Sequence, residues 1–124
     1  MRVAVVGSRS WYERRYWWYV QHRLARLFKD MKVTELVSGG AGGIDSLAEE
    51  YATLRGIPLR VLKPDWKKGK RAGPERNSLI VESCDLLVAF WDGESRGTLD
   101  SIRKAEKADK LLAVYKGSRL VVVD

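Results

Sequence analysis

Four glycines in five positions, Gly39, Gly40, Gly42 and Gly43, join an extended apolar run, Thr34 to Val37, to an amphipathic one, Ile44 to Leu54. A strand that passes through such a turn into a helix is one βα unit, and it commits the chain to a mixed architecture. Glycine tolerates positive φ and lets the backbone approach a neighbour or a ligand closely. The helix start that follows offers free N–H groups and the positive end of the helix dipole, so the segment predicts an anion site, most often for phosphate. It has neither the Gly-Lys-Ser/Thr of a Walker loop nor the GxGxxG spacing, so it names a ligand class and no particular ligand.

The same alternation continues along the chain. Val3 to Val6 reads as a first strand, followed by a helix from about Glu13 to Asp30 with Tyr16, Val20, Leu24, Leu27 and Met31 on one face. After the glycine segment a helix carries Ile44, Leu47, Ala48, Tyr51 and Leu54 inward, and Gly56 and Pro58 stop it before a third strand, Leu59 to Leu62. A polar, basic loop from Lys63 to Gly73 precedes a short helix that carries Pro74 in its first turn and ends near Ser83. Leu86 to Trp91 is continuously apolar, as a strand covered on both faces requires. Gly97-Thr98 opens a helix with Leu99, Ile102 and Ala105 inward; Leu111 to Tyr115 is a fifth strand, and Gly117-Ser118 turns into a last one, Leu120 to Val123. The expected fold is α/β: residues 1–124 form a single Rossmann-like three-layer domain, with a mostly parallel sheet of order 3-2-1-4-5 and an antiparallel C-terminal edge strand.

In such a sheet ligands bind beyond the carboxyl ends of the strands, near the point where strand order reverses. Every unusual loop falls there: Gly7-Ser8-Arg9 after the first strand, Ser38 to Asp45 after the second, the basic segment after the third, and Asp92 to Thr98 after the fourth. The expected ligand-contacting residues are therefore Gly7, Ser8, Arg9, Ser38, Gly39, Gly40, Gly42, Gly43, Asp45, Arg76, Asn77, Asp92, Ser95, Gly97 and Thr98. The arginines can hold phosphate oxygens in bidentate fashion, and Ser95 and Thr98 can supply hydroxyl donors. A plain helix cap explains Thr98 equally well. Trp11 and Tyr12 lie near the end of the first strand, where a base could stack, whereas Trp17 and Trp18 suit a subunit interface and point to a homo-oligomer.

A net charge of +7 favours anionic partners but also falls within the range of ordinary soluble domains. No apolar run reaches the length of a membrane span, and the N-terminal apolar stretch is too short for a signal peptide. One cysteine, Cys84, excludes an internal disulfide and leaves too few thiols for a structural zinc site. A cytoplasmic protein is expected. His22 is the single histidine and has no ligand-spaced partner, so no metal and no required cofactor are expected beyond a nucleotide-type ligand.

Gly7-Ser8-Arg9 and Ser38 to Asp45 resemble the SLOG superfamily, which takes its name from the Smf/DprA proteins and the LOG phosphoribohydrolases. Asp65-Trp66, Ala72-Gly73, Arg76-Asn77 and Ala89 to Gly93, through Ser95 and Gly97-Thr98, look like its YspA-like branch. The resemblance covers nearly the whole chain and implies a nucleotide or nucleotide-derived ligand in a Rossmann-like cleft. It also implies two alternatives: cleavage of the N-glycosidic bond of a nucleoside 5'-monophosphate, as in the LOG enzymes, or single-stranded nucleic-acid binding, as in the DprA relatives. The LOG motif's glutamate falls on Ser101, and the lysine of its Arg-Lys pair falls on Asn77. A glycosidase would then need another carboxylate, from Asp45, Asp92 or Glu94, working beside Arg76. For nucleic acid, Lys67-Lys68-Gly69-Lys70-Arg71 and Trp66 supply charge and a stacking surface.

Overall fold

The computed structural model describes residues 1–10, 14–116 and 119–123. The expected roles of Trp11 and Tyr12, and the Gly117-Ser118 turn, lie outside the described residues. The elements run β1 (Arg2–Gly7), α1 (Arg14–Phe28), β2 (Glu35–Ser38), α2 (Ile44–Arg55), β3 (Leu59–Val61), a short 3-10 helix (Trp66–Arg71), α3 (Ala72–Ser83), β4 (Leu86–Trp91), α4 (Arg96–Lys107), β5 (Leu111–Lys116) and β6 (Arg119–Val123). They build one sheet of order β3-β2-β1-β4-β5-β6. The first five strands pair in parallel, and β6 runs antiparallel to β5.

Strand alternation distributes the core over both faces. Val3 and Val5 of β1 point to one side and pack with Leu36, Val88 and Phe90 against Val20, Leu24 and Phe28 of α1 and Ile44, Ala48 and Tyr51 of α2. Ala4 and Val6 point to the other side and pack with Val37, Leu87 and Ala89 against Ile80 and Val81 of α3 and Ile102 and Ala105 of α4. Val3 to Val6 of β1 and Leu87 to Phe90 of β4 are buried on both faces, so these runs are apolar without interruption.

Two expectations change. Leu54, in the last turn of α2, is 62% exposed, so the apolar face of the helix ends before it. The basic loop is partly helical: the Asp65 side chain accepts from Lys67 N at 3.2 Å and caps the 3-10 turn, where Trp66 to Arg71 are all exposed or unburied. α3 begins at Ala72 and ends at Ser83, with Pro74 in its first turn as expected, where a missing N–H costs nothing. Lys104 of α4 donates to the Pro74 carbonyl at 2.7 Å.

Candidate functional site

The sheet order reverses between β1 and β4, and a cavity of about 350 Å³ opens at the carboxyl ends of these strands. Its wall takes Gly7, Arg9 and Ser10 from the loop after β1, Ala41 and Asp45 from the glycine segment and α2, Arg76 and Asn77 from α3, and Asp92, Ser95, Gly97, Thr98 and Ser101 from the loop after β4 and α4. Four separated segments thus meet at one place, as the strand ends require.

Asp45 is the chemically distinctive group. It is 4% exposed, its Oδ2 accepts from Ala41 N at 3.1 Å, and its Oδ1 has no hydrogen-bond partner among the described residues. Burial pushes its carboxyl up to about 6, against the opposing pull of the Ala41 amide and the Arg76 and Arg9 charges. Arg76 stands beside it: its Nη1 donates to the Gly39 carbonyl at 2.6 Å and its Nε to Asn77 Oδ1 at 3.0 Å. An added Cβ at Gly39 would lie 2.6 Å from Arg76 Nη1 and 3.0 Å from Asp45 Oδ2, so a side chain there would displace the guanidinium.

Asp92 is the opposite kind of carboxylate. Burial alone would raise its pKa, but hydrogen bonds from Ser95 N, Glu94 N, Ser10 and Ser8 outweigh that and lower it. Its Oδ1 accepts from Glu94 N and Ser95 N, each at 2.8 Å, and its Oδ2 accepts from Ser10 Oγ at 3.1 Å. Asp92 is therefore the organiser of the loop that leads into α4. Ser95 caps that helix, accepting from Thr98 N at 3.3 Å, and its Oγ lies 3.0 Å from Thr98 Oγ1.

Several expected contacts turn inward. Ser38 Oγ donates to Glu49 Oε2 at 2.8 Å and accepts from Gly40 N at 3.2 Å, away from the cavity lining. Ser8 is buried, with Oγ accepting from Asp92 N at 3.0 Å. Asn77 Nδ2 donates to the Gly97 carbonyl at 3.2 Å and to Asp100 Oδ2 at 3.1 Å, so it holds α3 against the start of α4. Glu94 is exposed and does not line the cavity. Within the glycine segment, the amides of Gly40, Ala41 and Ile44 are taken by Ser38 Oγ, Asp45 Oδ2 and the Ser8 carbonyl. Gly42, at φ 70°, is exposed and touches neither cavity lining, whereas Gly43 packs directly on the backbone of Ser8 and Arg9. The glycines mainly let the chain turn and pack, and the charged side chains border the open space.

Sequence reasoning missed Ser10 as a lining residue and the closeness of Ala41; neither has a charge or spacing that marks it. A second cavity of about 400 Å³ was also missed, lined by Arg9, Gly40, Ala41, Lys63, Pro64 and Trp66. Arg9 and Ala41 border both cavities. Among the described residues no group of three or more His, Cys, Asp or Glu is placed to hold a metal ion. His22 is exposed and Cys84 is a buried free thiol. No helix among the described residues is long and apolar enough to cross a membrane.

Comparisons with known proteins agree with this picture. The family described as YspA, cpYpsA-related SLOG matches residues 1–69. The Gene 61 protein of Mycobacterium phage D29 is 35% identical over 115 residues, covering 86% of this chain and 90% of that protein. Among solved structures, DNA processing protein A (DprA) of Streptococcus pneumoniae superposes with a TM-score of 0.73 at 22% identity, covering 94% of this chain and 50% of that one. This chain thus spans half the length of that protein. DprA of Helicobacter pylori, described for its single-stranded DNA binding mode, superposes with a TM-score of 0.66 at 25% identity, over 100% of this chain and 68% of that one.

Proposed function

Because the chain belongs to the YspA, cpYpsA-related SLOG family, we propose that it binds a nucleotide or nucleotide-derived phosphate ligand in the cleft at the carboxyl ends of β1 and β4, as a sensor or processing protein. The observation that carries this reading is the pairing of a buried, half-satisfied carboxylate with two arginines around one cavity: Asp45, Arg76 and Arg9. Asp45 suits hydrogen-bond donors such as ribose hydroxyls or a base amide, and the guanidinium groups suit phosphate oxygens. Thermal unfolding with adenosine monophosphate, ADP-ribose and nucleotide sugars tests it. A ligand held at a hundred times its Kd adds about 2.7 kcal/mol and a shift of several degrees. No shift with any of them at millimolar concentration would count decisively against the reading.

A second reading, single-stranded nucleic-acid binding, draws support from the Helicobacter pylori DprA likeness and from the exposed Trp66, Lys67, Lys68, Lys70 and Arg71. Binding of that kind weakens steeply with salt. Oligonucleotide retention that ignores salt would remove it.

A glycosidase acting on nucleoside monophosphates would have to work through Asp45. Asp92 is committed to the loop amides, Glu94 points elsewhere than the cavity, and Ser101 carries no charge. Incubation with adenosine monophosphate should then release free adenine, and Asp45→Asn should abolish the release. The exposed Trp18, 71% accessible on α1, supports self-association, and the single buried thiol suits the cytoplasm.

A further inference from the structure

The two cavities are neighbours with a shared wall. Arg9 and Ala41 belong to both, and the glycine segment separates the Asp45 side from the Trp66 side. The inner cavity offers a carboxylate oxygen that lacks a donor and a buried polar wall of Asn77, Thr98 and Ser101. Immediately beside Asp45 that wall favours a neutral group with hydroxyl or amino hydrogens, whereas Arg9 and Arg76 on the same lining suit phosphate oxygens. The outer cavity is different. It is lined by Gly40 and Pro64, its cations are Lys63 and the shared Arg9, and its one large planar surface is the Trp66 indole, 64% exposed. Gly40 sits at φ 68° with Lys63 Cγ 3.4 Å from where a Cβ would be, so the loop is folded close beneath this pocket. Trp66 is the first residue of the 3-10 turn that Asp65 caps.

We infer that the ligand spans both cavities: a neutral nucleoside end lies at Asp45, a bridging phosphate lies at Arg9 where the cavities meet, and a second base stacks on Trp66. This rests on the nucleotide reading above and narrows it to one chemistry, two nucleosides joined through phosphate. A free dinucleotide and two successive residues of a nucleic-acid strand both present it. A mononucleotide fills the inner cavity alone and leaves the indole bare. Stacking of a base on an exposed aromatic surface is worth roughly five- to a hundredfold in affinity.

The test is calorimetric titration of the full chain and its Trp66→Ala and Trp66→Phe variants with three probes: adenosine monophosphate, the dinucleotide ApA, and a ten-residue deoxyadenosine oligonucleotide. Trp66 is exposed and outside the core, so the variants keep their fold, which circular dichroism checks. Trp66→Ala should weaken ApA by about tenfold and adenosine monophosphate by less than twofold, with Trp66→Phe restoring most of the loss. An oligonucleotide that binds much more tightly than ApA identifies a strand as the source, whereas equal binding identifies a free dinucleotide. If Trp66→Ala leaves ApA unchanged while the mononucleotide binds, the two-cavity ligand is wrong and the nucleotide reading survives. If no probe binds any variant, both fail together.

Discussion

Ser8 Oγ accepts the Asp92 amide hydrogen at 3.0 Å, and the Ser8 amide donates to the Phe90 carbonyl at 3.1 Å. One small buried residue thus ties the loop after β1 to the end of β4, across the point where the strand order reverses. Its carbonyl also takes the Ile44 amide at the start of α2. Three walls of the cavity are joined through it.

Ser8→Ala should therefore cost more than a surface hydroxyl. Removing the acceptor leaves the Asp92 amide short of a partner, which destabilises by about 1–3 kcal/mol. Urea denaturation reads this as a lower midpoint with an unchanged slope. A loss within about 0.3 kcal/mol would show that the loop holds without Ser8.

Asp45 makes stability depend on pH. Its folded-state pKa of about 6 stands above the ordinary 3.8, so between these values the folded chain binds more protons than the unfolded one. The contribution is full below about pH 4 and is lost as pH rises through about 6, amounting to at most about 3 kcal/mol. Asp45→Asn keeps an acceptor for the Ala41 amide and abolishes that slope. Denaturation from pH 4 to 7 should show the two proteins diverging, with the variant the more stable at pH 7. Parallel curves would mean that Asp45 titrates normally.

Gly43 and Gly42 both have positive φ but should respond differently to alanine. At Gly43, with φ 59° and ψ −125°, a Cβ would lie 2.6 Å from both Arg9 Cα and the Ser8 carbonyl oxygen, so backbone must move. Gly43→Ala should cost about 3 kcal/mol or more, combining strain with collision. At Gly42, with φ 70° and nothing within 4 Å, alanine meets only the conformational penalty, about 1 kcal/mol. Equal losses in melting experiments would contradict this packing.

Arg76 acts on Asp45 through charge as well as on Gly39 through a hydrogen bond. Arg76→Ala should push the Asp45 carboxyl still higher, visible as a later titration of its side-chain carbon by NMR, and should weaken nucleotide binding. Arg76→Lys restores charge without the two-point contact to Gly39 and Asn77, so it should recover the titration better than the binding. An unmoved Asp45 titration in Arg76→Ala would break the proposed coupling.

The element order was readable because local patterning sets it: the two-sided burial of Leu87 to Phe90 leaves a continuous apolar run, and Gly56 ends α2 at φ 68°; the parallel core and the order β3-β2-β1-β4-β5 followed from the βα alternation of a Rossmann-like chain. The edge of the cleft was readable for the same reason, since right-handed βα connections put every glycine-rich loop at the carboxyl ends of the strands. Which atoms face the open space was not. Ser38, Ser8 and Asn77 have the residue types of ligand contacts, yet their polar groups are satisfied by Glu49, Asp92, Gly97 and Asp100. Asp45 and Asp92 are the same residue type after similar turns, yet one is left half-satisfied in a buried wall and the other is held ionised by loop amides. Local sequence specifies elements and turns, whereas hydrogen-bond partners and burial come from segments brought together only when the sheet closes, and these decide which groups remain free for a ligand.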